Sequence, residues 1–189
     1  MSPLKYHLIA VFLLFSMLVK AQLPNPDSLI RTTQRLNTKG MLVLGSWSAA
    51  NLATGIYGNL NTTGQAKYFH QMNWLWNTVN AGLATYSLVK SRQKIDSLGM
   101  DHARAMNSKF QSLYLFNAGL DVLYMLGGTG FLISSQNATL RKDQFAGYGK
   151  SIVMQGGFLL LFDAAMFVFH KRQTLPKVKP IPNGIGMVF

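Results

Sequence analysis

The chain predicts an all-α fold, a membrane-embedded four-helix bundle preceded by a signal peptide or signal anchor. Three observations carry this. Four long stretches contain no Lys or Arg inside their limits. Charged residues make up only 13% of the 189 residues, against about 25% in soluble domains. Polar residues inside the stretches recur at steps of three and four, the repeat of a helix face.

Taken in order, residues 8–19 (LIAVFLLFSMLV) form an apolar run behind Lys5, followed by Val19-Lys20-Ala21-Gln22. Short residues at Val19 and Ala21 suit cleavage, so residues 1–21 read as a signal peptide. An uncleaved anchor is the alternative, although the run is shorter than the roughly 20 residues a span needs. Pro24-Asn25-Pro26 interrupts the chain, and Asp27 is a candidate helix cap. Leu29, Ile30 and Leu36 among Arg31, Arg35 and Lys39 suggest an interfacial helix over residues 22–39. The expected spans are 40–60, 69–90, 110–134 and 151–169, inside a transmembrane domain of residues 40–172. They do not alternate as barrel strands do and are about twice as long, so they are helices. Residues 61–67, 91–109 and 135–150 are linkers, and 173–189 is a Pro-rich, extended tail.

The second span carries His70, Asn73, Asn77, Asn80, Ala84 and Ser87 on one seam, with Trp74, Leu75, Trp76, Val79, Leu83 and Leu88 elsewhere. The third offers Asn117, Asp121, Tyr124 and Gly128, and the fourth Gln155, Asp163, Met166 and His170. The first supplies Gly45, Ala49, Asn51, Ala53 and Gly55, small enough for close helix approach. Counting from block midpoints puts Asn51, Asn80, Asn117, Asp121 and Asp163 in one midplane layer. An Asp at a span centre costs about 2.5–3.5 kcal/mol on insertion scales, so both need compensation. Protonation, amide hydrogen bonds, or a bound cation or proton would supply it. The candidate polar core or ligand site is therefore Asn51, Asn73, Asn77, Asn80, Asn117, Asp121, Tyr124, Gln155 and Asp163. Asp121 should meet Asp163 inside the bundle, with Asn117 in reach of either carboxyl and Asn77 and Asn80 approaching from the second span.

The net charge is +12, with no Glu. The basic residues sit between apolar blocks and not on one stripe, which favours lipid headgroups over nucleic acid as their partner. Most lie in the interfacial segment, the 91–109 linker and the tail, so the positive-inside rule puts those on the cytoplasmic side. A cleaved signal implies the reverse, and orientation stays open. No cysteine is present, which excludes disulfides and thiolate chemistry. His70 and His170 stand at opposite ends of their spans, so they cannot share a haem, and no His pair has zinc spacing. Gly127-Gly128-Thr129-Gly130 lacks the GK[ST] of a phosphate loop and reads as close packing or helix termination. Nothing reads as a nucleophile with its base, so no enzyme, cofactor or metal is expected.

The pattern N-x-G-L-D-V-x-Y at residues 117–124, with Q-G-x-F-L-x-x-F-D at 155–163, resembles an uncharacterised integral membrane family of Bacteroidetes, a domain of unknown function. Gly156-Gly157 adds a second glycine to the latter, and Lys20-Ala21-Gln22 looks like signal peptides of that group. The resemblance implies a four-helix membrane bundle and no activity. The expected role is a structural or accessory membrane subunit of the bacterial inner membrane, in contact with lipid and with a membrane partner or a second copy. The alternative is a small proton, cation or solute carrier using the two carboxylates. A lipid-directed enzyme is the weakest reading.

Overall fold

The computed structural model describes residues 25–92, 99–174, 177–181 and 184–188. The expected signal segment lies outside them. Two compact units emerge, and residues Pro26–Thr174 form the helical one. Within the other, strand β1 (Lys177–Ile181) pairs antiparallel with β2 (Gly184–Val188), Lys177 opposite Val188.

Among its described residues the helical unit is all-α, with four helices, α1 (Pro26–Asn61), α2 (Gly64–Lys90), α3 (Met100–Asn137) and α4 (Lys142–Thr174). Pro26 opens α1, where its missing N–H is no loss. Asp27 thus falls in the first turn and not at the cap position the sequence suggested, and its charge there complements the helix dipole. Only Thr62 and Thr63 separate α1 from α2. Gly64 then takes φ +55°, a left-handed conformation that suits glycine and reverses the chain in two residues.

Each helix outruns its apolar block. The expected interfacial segment is the first turns of α1, with Ile30, Thr33 and Asn37 buried. α3 begins ten residues before the predicted span and buries Ala103 and Asn107 there. Hydropathy marks where a helix is apolar, while backbone hydrogen bonding and one packed face carry it on through polar turns. Among the described residues two helices, Met100–Asn137 and Lys142–Thr174, are long and apolar enough by length and composition to cross a membrane. The sequence suggested four. Within 40–60 the Gly, Ser and Thr residues and Asn51, and in α2 the row of Asn, lower the apolarity of the other two.

The topology is up-down-up-down. Asn37 bonds Ser87, and Asn73 bonds the Asn51 carbonyl, which sets α1 antiparallel to α2. Thr33 bonds Gln173, and Trp47 bonds Gln155, which sets α1 antiparallel to α4. α3 packs most extensively on α4, and glycine makes that contact close. A Cβ added at Gly128 would sit 3.0 Å from the Gly149 carbonyl oxygen, and one at Gly149 would sit 2.7 Å from the Gly128 carbonyl oxygen. Gly127 and Gly130 meet nothing, and α3 runs straight through them. Of the two readings of this glycine run, close packing therefore holds, through Gly128 alone.

The buried face of α3 is narrow. Asn107, Tyr114, Asp121, Gly128 and Ser135 recur every seventh residue. Seven residues at about 100° each return within roughly 20° of the start, so these form one line facing α4.

Candidate functional site

The interior is polar. Among the described residues, fourteen buried polar ones stand against nine buried apolar ones, while Leu42, Val79, Leu83, Phe116, Leu126 and Leu161 are exposed. Four clusters lie along the bundle.

The first is built around Gln155, which is fully buried. Its side-chain oxygen accepts from Trp47 Nε1 at 2.9 Å. Its amide donates to Asn51 Oδ1 at 3.5 Å and, more closely, to Asn73 Oδ1. Asn51 donates back to the Trp47 carbonyl at 2.8 Å, and Asn77 donates to the Asn73 carbonyl at 2.8 Å. One side chain of α4 thereby ties α1 to α2. Trp47 is held flat on Phe158, ring centroids 3.9 Å apart, which aims its N–H at Gln155.

The second cluster is the carboxyl pair. Asp121 and Asp163 are buried and stand within side-chain hydrogen-bonding reach of each other. The hydrogen bonds that tie α1 to α2 and α4 show the level. Asn37 with Ser87 and Asn51 with Asn73 put Leu44 level with Asn80, while Gly40 against Met166 puts Asp163 near Val43. Asn80 therefore shares the depth of the carboxyls, and its Nδ2 has no hydrogen-bond partner, as Asp121 Oδ2 has none. Asn51 lies about two turns away, ~10 Å at 1.5 Å per residue. The single midplane layer expected from block midpoints is thus two clusters, because the blocks are offset along the bundle by one heptad.

Two sequence-predicted members fall outside this core. Asn117 is half-buried and makes no side-chain hydrogen bond among the described residues. Tyr124 is 40% exposed and packs edge-on against Trp76, centroids 4.8 Å apart. Both lie roughly 40–60° around α3 from Asp121 at about 100° per residue. A span packed on several sides would bury them, but α3 packs mainly on α4. Asn77 and Asn80 do face the interior, yet no hydrogen bond joins either to a carboxyl.

Of the third and fourth clusters the sequence placed only Ser87 and His170 on interior seams, and none of their members in the candidate site. Tyr114 donates to Asn37 Oδ1 at 2.7 Å, and Asn37 donates to Ser87 Oγ at 3.1 Å. His170 lies nearly parallel against both Phe110 and Tyr114, at 5.2 and 5.5 Å, in a cluster of three rings, and both its ring nitrogens lack a partner among the described residues. Asn107 Nδ2 is shared between Thr33 Oγ1 at 3.1 Å and Gln173 Oε1 at 3.0 Å. Thr33, Asn37, Asn107 and Gln173 lie beyond the apolar blocks. Continuing the seams past those limits, by sevens in α3 from Asp121 to Tyr114 and Asn107, is the signal that finds the α3 members.

Among the described residues, no group of three or more His, Asp or Glu converges to hold a metal ion. The fold and interior define a helical-bundle protein with polar residues packed inside and apolar ones outside. The chain belongs to the family of unknown function DUF6992, which matches residues 43–164. The match takes in the Gln155 cluster and the carboxyl pair, and leaves out Thr33, Asn37, His170 and Gln173. No curated protein and no solved structure matches the chain.

Proposed function

We propose that this bundle is embedded in the bacterial inner membrane and serves as a structural or accessory membrane subunit, without catalysis of its own. The observation that carries the reading is the inverted packing: Asn, Gln and Asp buried, Leu, Val and Phe outside. In water that arrangement leaves apolar surface unsolvated. In lipid it is the favourable one, because hydrocarbon solvates the apolar faces and polar side chains find partners only between helices. Gln155, bonded to α1 and α2 at once, fits a role as interhelical adhesive. The resemblance to Bacteroidetes membrane proteins supports the location. Lipid and a neighbouring membrane protein, or a second copy, are the partners. Membranes from a host expressing the full chain test this: the protein should stay in the pellet after alkaline carbonate washing, and release without detergent would reject embedding. Cross-linking in the same membranes should yield a defined adduct; a monomer alone would remove the subunit role.

The carboxyl pair favours a second reading, a proton or cation carrier. A hydrogen bond between two carboxyl groups requires a proton on one of them. Purified protein in vesicles with an imposed pH gradient should then dissipate it, and Asp121→Asn with Asp163→Asn should stop the flux while leaving the fold intact. Equal rates with protein-free vesicles would dismiss the carrier.

A further inference from the structure

We infer that the groove between the first turns of α1 and the end of α2 binds the phosphate of an anionic lipid headgroup. This rests on the membrane-embedded reading and adds to it a site with a ligand class. Arg31, Arg35 and Lys39 follow one another at every fourth residue along one face of α1, and with Gln34, Thr38 and Ser91 they line an open groove of about 340 Å³. All three cations are exposed, and none has a carboxylate partner among the described residues. Like charges four apart on a helix repel one another and destabilise it. An anion in the groove reverses that sign. Two guanidinium forks match the oxygens of a phosphate better than any other common biological anion except carboxylate. Gln34 and Thr38 contribute neutral donors that no other described group occupies.

Level decides the source of the phosphate. Asn37 bonds Ser87 and Thr33 bonds Gln173, so the groove stands at the same end as Lys90 and Lys171. These two lysines lean over Tyr86 and Phe167, each 5.7 Å from the ring centroid, the posture of long cations anchoring at an interface. From Arg31 to Lys39 the groove runs ~12 Å along the helix. That is enough to traverse the headgroup layer, about 5–8 Å deep on each side of the hydrocarbon.

The test uses the full chain in detergent micelles, melted alone and with phosphatidylglycerol, phosphatidylcholine or inorganic phosphate. Phosphatidylglycerol should raise the wild-type melting temperature more than the other additives, and raised salt should remove the difference. The variant R31Q/R35Q/K39Q should lose at least half of that rise, whereas K67Q/K142Q/K150Q, at the opposite end, should keep it. An equal rise in wild type and R31Q/R35Q/K39Q overturns the site. So does inorganic phosphate acting as strongly as the lipid, which would make the ligand a free anion. A wild-type rise insensitive to salt overturns it without reference to any variant. Carbonate washing of the parent membranes separates the two layers of inference. Retention with equal lipid responses rejects the groove alone; release rejects embedding and the groove with it.

Discussion

Gln155 is the side chain on which the interior turns, because its two polar atoms satisfy groups on two other helices. Gln155→Leu keeps the volume and removes every bond, leaving Trp47 Nε1 and Asn73 Oδ1 without this partner. Each orphaned buried group costs about 1–3 kcal/mol, so the detergent-solubilised variant should melt clearly lower. A double-mutant cycle with Asn73→Ala should show coupling of about 0.5 kcal/mol or more, and additive effects would reject the contact as a stabiliser. His170 makes the opposite case. Its ring packs nearly parallel against Phe110 and Tyr114, and its nitrogens bond nothing among the described residues. His170→Phe preserves the stack and removes two unsatisfied polar atoms, so it should be neutral or stabilising in a thermal melt. A marked loss would mean that the nitrogens serve a partner or ligand. Gln155 was legible in the sequence as a polar residue on an apolar helix. His170 was placed on the Asp163 side of its span, at the span's end, but its cover of aromatic rings was not legible, because nothing in a sequence tells whether α3 reaches back far enough to supply it.

At the scale of the element, the contact between α3 and α4 rests on two glycines facing each other, Gly128 and Gly149. Gly128→Val places a branched side chain against the Gly149 carbonyl and Val153, so the helices must separate. Overpacking of this kind costs typically 1–3 kcal/mol. The neighbouring Gly127→Ala meets nothing within 4 Å and gains up to about 1 kcal/mol in helix propensity. Thermal melts of the two variants should therefore move in opposite directions, and a common direction would show that α3 is not seated through Gly128. The same geometry explains why Asn117 and Tyr124 were expected in the core and are not there. Steps of four and three describe a broad helix face, while a helix docked through glycine on one main neighbour buries only every seventh residue.

At the scale of the whole molecule, the polar interior and apolar exterior make a prediction that separates lipid from water. Leu83 and Phe116 are 58% and 65% exposed. In water, Arg at either exposed position changes stability by no more than about 0.5 kcal/mol. At the centre of a span, Arg costs about 2.5–3.5 kcal/mol on insertion scales. Leu83→Arg and Phe116→Arg should therefore reduce the amount of protein recovered in the membrane fraction, whereas Leu140→Arg, in the 99% exposed link before α4, should not. Equal recovery of all three would count against embedding. The inversion also makes the family assignment informative in one direction only: DUF6992 covers the interior clusters around Gln155 and Asp121 and brings no activity with them.

What the sequence by itself determined was local and periodic. The apolar blocks located four helices, and the seam of Asn73, Asn77, Asn80 and Ala84 is the buried line of α2. Gln155, Asp163, Met166 and His170 likewise lie on the buried side of α4. A helix repeats every 3.6 residues, so which residues share a face follows from spacing alone. What only the tertiary structure decided was register, neighbour and depth. Asn51 bonds with Asn73 and Gln155 and stands two turns from the carboxyl pair, Tyr124 faces outward, and Asn37 and Asn107 join the core from beyond the apolar blocks. A helix can slide along its partner by one heptad and present the same seam, so spacing carries no information on axial offset. That offset is set where Gly128 meets Gly149, where the two-residue turn closes α1 on α2, and where Gln155 finds its partners.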